Sequence, residues 1–251
     1  MSVAPSTRHS SYDTPAQAQV HALRVESLAY RVTVGEESLD ILSDVSMAIA
    51  AGESVAIVGR SGSGKTTLLG LLAGLDSPTE GAVWLAGEEM TAMSEDQRAA
   101  LRAQRVGFVF QSFQLLPALS ALENVMLPLE LAGKDDPRER ASDLLQRVGL
   151  GERLNHAPRQ LSGGEQQRVA IARAFAAAPK ILFADEPTGN LDAHTGETVS
   201  DLLMALNREQ GTTLVMVTHD KTLAARCQRQ FHIEAGRVSE VRLNAKAELG
   251  L

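Results

Sequence analysis

The stretch Gly59-Arg-Ser61-Gly62-Ser63-Gly64-Lys65-Thr66-Thr67 has the residue types and spacing that hold a polyphosphate. Its glycines let successive backbone N–H groups turn toward an anion. A short apolar run, Val55-Ala-Ile-Val58, precedes it, and a helical pattern over 66–73 follows it. The start of that helix adds partial positive charge at the same point. Lys65 has the reach for the β- and γ-phosphates of a nucleoside triphosphate, and the Thr66 hydroxyl can ligate Mg²⁺. A turn that only caps a helix is the structural alternative. The matching strand and helix on either side favour the phosphate cradle.

Two acids, Asp185 and Glu186, close the apolar run Ile181-Leu-Phe-Ala184. An acid in that place can hold Mg²⁺, and its neighbour can orient and polarise an attacking water. Phosphoryl transfer asks for little more, because it depends on positioning and charge stabilisation. Gln111 and His219 each follow another apolar run, Val106-Gly-Phe-Val-Phe110 and Leu214-Val-Met-Val217. Between them lies Leu161-Ser162-Gly163-Gly164-Glu165-Gln-Gln-Arg168. Ser162 and Glu165 make a capping box, so this string starts a helix. The same helix start turns backbone N–H groups toward solvent and makes a second anion site.

The elements that must position these residues can be read from the pattern. The four apolar runs show no polar alternation, as in strands buried on both faces of a parallel sheet. Turn signals and charges bound them, so alternating βα units predict an α/β sandwich. Residues 112–175 carry helix starts instead. Ser120-Ala-Leu-Glu123 is a capping box, like Ser94-Glu-Asp-Gln97 before it, and Asp136-Pro137 opens a further helix with Leu144, Leu145 and Val148 on one face. This predicts a helical subdomain over about 112–175, set into a core of 21–111 and 176–243, with tails at 1–20 and 244–251. Segments 20–53 and 231–241 read as antiparallel edge strands.

Bulk composition narrows the partners. The chain has 251 residues, of which 44% are hydrophobic, enough for a large core. Its net charge of −7 argues against a nucleic-acid binder, which usually presents a basic face. The arginine clusters are interleaved with acids and read as solvated helix faces. The single cysteine, Cys227, excludes an internal disulfide and reads as a small core residue. No run approaches the roughly 18–20 apolar residues that span a bilayer. The first twenty residues lack an apolar signal region and read as a disordered tail.

In this order and company, the motifs resemble those of the ATP-binding-cassette ATPases, over about residues 20–241. The resemblance implies a P-loop NTPase of α/β class: a RecA-like core with an antiparallel β subdomain and an α-helical subdomain. It implies ATP and Mg²⁺ as cofactors. It also implies a homodimer, in which Ser162, Gly163 and Gly164 of one copy contact the γ-phosphate cradled at 59–67 of the other. Under the same resemblance Thr66, Asp185 and Gln111 attend the metal. Glu186, His219, Gln111 and Lys65 carry the catalysis, and Asp192, closing Gly189-Asn-Leu-Asp192, sits at the dimer seam. The family usually stacks an aromatic ring on adenine. The matching position here is Val32, with Tyr30 two residues earlier on the same strand face.

Further strings resemble one group of these ATPases. Gly107-Phe-Val-Phe-Gln-Ser-Phe113, Leu115-Leu-Pro117, Ala121-Leu-Glu-Asn-Val125 and Phe183-Ala-Asp-Glu-Pro-Thr-Gly-Asn-Leu-Asp192 are similar to the group holding the MacB-type, LolD-type and FtsE-type ATPases. Leu206-Asn-Arg-Glu-Gln-Gly-Thr-Thr-Leu-Val-Met-Val-Thr-His219 resembles the YbbA type within it. The resemblance implies a cytoplasmic subunit, peripheral at the inner membrane, that drives a separate MacB/FtsX-like (YbbP-like) permease in export or extraction of a hydrophobic compound. Lipoprotein release and FtsE-like mechanotransmission are the alternatives. Phe113, Leu115, Leu116, Pro117 and Leu119 are too apolar for a free loop, so the permease is expected to dock near residues 111–131. Cassette ATPases of DNA repair insert long coiled coils between cradle and signature. Here 97 positions separate Lys65 from Ser162, without sustained heptads.

Overall fold

The computed structural model describes residues 21–35 and 37–241, so the two expected tails lie outside the described residues. Its strands are β1 (His21–Val34), β2 (Glu37–Ala50), β3 (Ser54–Val58), β4 (Glu80–Leu85), β5 (Glu88–Glu89), β6 (Val106–Val109), β7 (Ile181–Asp185), β8 (Thr213–Val217), β9 (Arg229–Glu234) and β10 (Arg237–Val241). Its helices are α1 (Lys65–Leu72), α2 (Glu95–Arg105), α3 (Ala121–Leu131), α4 (Pro137–Arg147), α5 (Gly163–Ala176), α6 (Ala193–Gln210) and α7 (Lys221–Ala224).

Six strands form the central sheet in the order β10-β9-β3-β8-β7-β6. All its pairings are parallel except β9 with β10. Each of the four apolar runs is one of its strands. The missing polar alternation has a direct cause in two cores, one on each face. Val55, Ile57, Ile181, Phe183, Val215 and Val217 enter one core. Their neighbours Ala56, Leu182, Ala184, Leu214 and Met216 enter the other.

The expected antiparallel edge strands hold at β2 and β10, and are corrected at β1 and β9, which lie inside their sheets. β9 pairs parallel with β3 and lies inside the sheet, and only β10 is an antiparallel edge. β1 and β2 belong to a separate antiparallel sheet of order β2-β1-β4-β5. Leu42, Val45, Met47 and Ile49 of β2 are buried against the same core as α1, while residues between them stay open. A half-buried sheet of this kind covers one face of the parallel sheet and needs no pairing with it.

The helices start where their caps lie. Ser94, Ser120 and Ser162 each accept from a backbone N–H three residues on, and the side chain at that position bonds back to the cap. Pro137 occupies the first turn of α4. Between β6 and α5 the chain makes only helices and turns, with Leu144, Leu145 and Val148 buried against α3 and α5 side chains.

Candidate functional site

The cradle sits at the β3–α1 junction. Gly64 caps α1 with φ +96°, a left-handed conformation open to glycine but strained for other residues. Its turn brings Lys65 under the loop, where the ammonium donates to the carbonyls of Gly59 (3.1 Å) and Arg60 (2.9 Å). Lys65 is buried. Ser61 and Gly62 form the exposed tip, and Thr67 is half-buried in the first turn of the helix. The Ser63 hydroxyl is buried without a hydrogen-bond partner. An orphaned hydroxyl and a buried ammonium on one glycine-rich loop fit a polyphosphate.

The acids lie across from the loop because β7 and β3 both flank β8 in the sheet. Asp185 Oδ1 accepts from Thr66 Oγ1 at 3.4 Å. Burial raises the Asp185 pKa above its usual value, helped by the neighbouring Glu186, while Thr66 and Lys65 pull it down. Among the described residues, no cluster of three or more His, Cys, Asp or Glu side chains could hold a metal by itself. Asp185 with Thr66 fits an ion that completes its shell with phosphate oxygens and water, as Mg²⁺ does.

Glu186 takes φ +44°, rare for a residue with a side chain, and its amide donates to Val217 O (2.9 Å). Its carboxylate meets His219 twice: Oε2 lies 2.8 Å from Nδ1 and accepts from the backbone amide at 3.2 Å. The Glu186 side chain is 14% exposed and that of His219 is 71% exposed, so the acid is shielded and the ring stands open. Gln111 joins them from the end of β6. Its carboxamide donates to Asn190 Oδ1 (3.3 Å), and Asn190 returns a bond to the Gln111 carbonyl (2.9 Å). Gly189 leaves room between: a Cβ there would stand 3.0 Å from Gln111 Nε2 and 3.4 Å from the Glu186 Cβ.

Lys65, Thr66, Asp185, Glu186, His219 and Gln111 are therefore brought together. Ser162, Gly163 and Gly164 are not. A cavity of about 490 Å³ opens beside Arg60, Ser61, Gly62 and Ser63, and α5 contributes nothing to its lining. Exposed Ser162 caps α5, with its hydroxyl accepting from the Glu165 amide, while Gly163 stands near Phe113 and Leu191. The return bond from the Ser162 amide holds the Glu165 carboxyl below its ordinary range. Asp192 caps α6, accepting from the Thr195 amide (3.0 Å); hydrogen bonds from the Thr195 side chain and then from its amide lower the Asp192 pKa. It also lines a surface cavity shared with His219.

Neither Tyr30 nor Val32 lines the cavity beside the cradle. Tyr30 pairs across from buried Leu42 and packs on that core. Leu39 and Ile41 of β2 supply the aliphatic wall, and Leu39 is the cross-strand partner of Val32. Three side chains were not singled out from the sequence. Asn124 is fully buried and bonds Leu116, Leu119 and Ser120 backbone groups. Gln167 bonds Pro187 O, and Arg173 bonds the Phe113 and Gln114 carbonyls. Their partners are backbone atoms, which leave no trace in residue types.

The chain is similar to known proteins along most of its length. Residues 42–189 match the ABC transporter family model. The uncharacterized ABC transporter ATP-binding protein YbbA of Escherichia coli (strain K12) is 56% identical over 220 residues, covering 87% of this chain and 96% of that protein. The lipoprotein-releasing system ATP-binding protein LolD of Xanthomonas euvesicatoria pv. vesicatoria (strain 85-10) is 48% identical over 236 residues, covering 93% and 96%. The dimeric structure of MJ0796, a bacterial ABC transporter cassette, superposes with TM-score 0.83 at 42% identity, over 89% of this chain and 99% of that one. A post-hydrolysis state of the same cassette, bound to ADP and Pi, gives TM-score 0.82. With this fold, these motifs and these relatives, the chain belongs to the ABC transporter ATP-binding family and is an ATP-binding, ATP-hydrolysing subunit.

Proposed function

We propose that two copies of this chain close on ATP and drive a separate integral-membrane permease. The observation that carries the reading is the separation of Ser162, Gly163 and Gly164 from the cavity beside Arg60, Ser61, Gly62 and Ser63 of the cradle loop. One chain holds the cradle, the acids and His219 together, and its second anion site points elsewhere. A second copy, turned to face the first, brings its α5 start to that cradle. The dimeric MJ0796 cassette, at 42% identity, supports the arrangement.

In such a pair Lys65 and the loop 59–67 bind the phosphates, and Ser162 of the opposing copy completes their neutralisation. Thr66, Asp185 and Gln111 would hold Mg²⁺, which supplies Lewis-acid stabilisation of charge on the transferring phosphoryl group. Glu186 orients water for in-line attack, and His219 positions Glu186. ATP favours the closed state only by binding it better than the open one. The permease side rests on an apolar groove of about 290 Å³, lined by Phe108, Phe110, Leu127, Pro128 and Leu131. Leu131 is exposed at the groove, and Phe110 of its lining directly precedes Gln111. A membrane partner seated there reaches the nucleotide through Gln111. The lipoprotein-release reading draws support from the LolD relatives.

Mixing Lys65→Ala protein with a Ser162→Phe protein tests the pairing. Each parent is expected to be inactive, while mixed pairs hold one intact centre and regain hydrolysis. Mixtures that stay inactive, with both parents folded and pairing, would count against it. Co-purification of a MacB/FtsX-like permease with the chain, lost on Leu131→Glu, tests the groove.

A further inference from the structure

Helix α5 does more than carry Ser162 at its start. We infer that Gln167 and Arg173 are positioning residues that make α5 a lever between the two nucleotide sites of a pair, a reading that rests on the paired arrangement proposed above. Gln167 is fully buried, and its Nε2 donates to Pro187 O at 2.6 Å. Pro187 directly follows Glu186, which is held at φ +44°. The amide orientation is set by this bond, since the other orientation would aim an oxygen at a carbonyl. The remaining Oε1 has no partner, so the residue accepts a polar cost to hold one carbonyl.

Six residues on, Arg173 reaches the other side of the site. It donates to Gln114 O (2.6 Å) and Phe113 O (2.9 Å). Phe113 and Gln114 have φ +60° and +46°, two successive non-glycine residues in the left-handed region. Burial lowers the Arg173 pKa, and among the described residues no carboxylate pairs with it. A cation placed this way costs stability, and its return is the shape of the turn just after Gln111.

Both braces stand on one rigid helix of 14 residues, roughly 21 Å long. A shift of the α5 start, imposed by the partner's nucleotide on Ser162, moves Pro187 and the Phe113–Gln114 turn of the same chain. Glu186 and Gln111 move with them. Each site is thereby set by the occupancy of the other.

The test compares Gln167→Leu, Arg173→Met and Arg173→Lys with the parent chain, reading kcat, KM and the Hill coefficient for ATP. Pairing is followed by sedimentation with ATP in the Glu186→Gln background. Gln167→Leu and Arg173→Met should lose about 10- to 100-fold in kcat, the scale of a small misplacement. Their KM should stay within about twofold, and the Hill coefficient should fall toward one with pairing retained. Arg173→Lys, which keeps a cation for one carbonyl, should recover part of kcat. If Arg173→Met does not fold, Arg173→Lys against the parent decides alone: unchanged kcat and Hill coefficient overturn the lever. Variants matching the parent in both readouts overturn it too, as does a rise in KM with kcat retained. A parent chain that neither pairs with ATP nor shows cooperativity sinks the paired reading itself, a different outcome from a lever that fails in a cooperative parent.

Discussion

Glu186 Oε2 lies 2.8 Å from His219 Nδ1 and also accepts the His219 backbone amide. One residue just after β8 thus holds, through its ring and its backbone amide, the acid just after β7. The side-by-side strands make this clasp possible, because Asp185 and Val217 are paired in register. The chain's own contacts fix the direction of the acid, which is the form of preorganisation that phosphoryl transfer rewards.

Removing the ring should therefore cost orientation and leave binding. His219→Ala is expected to lower kcat by about 10²-fold or more, the range of a misplaced catalytic group. ATP affinity, measured by calorimetry, should stay within a few-fold of the parent. A variant with parental turnover would remove His219 from the account.

Asp185 is costly to the fold when ionised. Burial raises its folded-state pKa, so the ionised form is disfavoured in the folded chain. The sign follows: stability from this group is fullest below its ordinary 3.8 and falls as pH rises through the raised value. Asp185→Asn should melt higher than the parent at neutral pH, with the gain shrinking toward pH 4, while Mg²⁺-dependent hydrolysis is lost. An equal or lower melting temperature at neutral pH would contradict it.

Cys227 is buried, and desolvation pushes its thiol up to about 12. Only the thiolate reacts with alkylating agents. At pH 8 the native protein should resist iodoacetamide over hours and react promptly once unfolded, as read by mass spectrometry. Fast labelling of the folded chain would show an open or activated thiol.

Asn124 ties the turn 116–120 to α3 through four hydrogen bonds. Asn124→Ala strands the Leu116 amide and should destabilise by about 1–3 kcal/mol. A lower thermal midpoint checks it, and an unchanged midpoint would mean that water or a repacked turn replaces the side chain.

Local chemistry explains what could be read in the sequence. The cradle, the two acids and the three capping boxes are short strings whose function depends on neighbours within a few residues. The doubly buried strands were equally legible, because both faces of Val55, Ala56 and Ile57 demand apolar side chains. β9 was not, since parallel or antiparallel pairing is set by where β3 lies and not by the composition of Arg229–Glu234. Gln167, Arg173 and Asn124 escaped for a similar reason. Gln167 finds its carbonyl 20 residues away and Arg173 finds its own 59 and 60 residues away, and any residue type offers a carbonyl. The aliphatic wall of Leu39 and Ile41 was hidden because it depends on the register of β2 against the cradle.

Sedimentation of purified Glu186→Gln protein, with and without ATP, tests the shared site most directly. The account predicts a monomer alone, a dimer with ATP, and a monomer again when Lys65→Ala or Ser162→Phe is added. A chain that stays monomeric with ATP at every concentration, while the parent hydrolyses at a rate per chain independent of dilution, would contradict it.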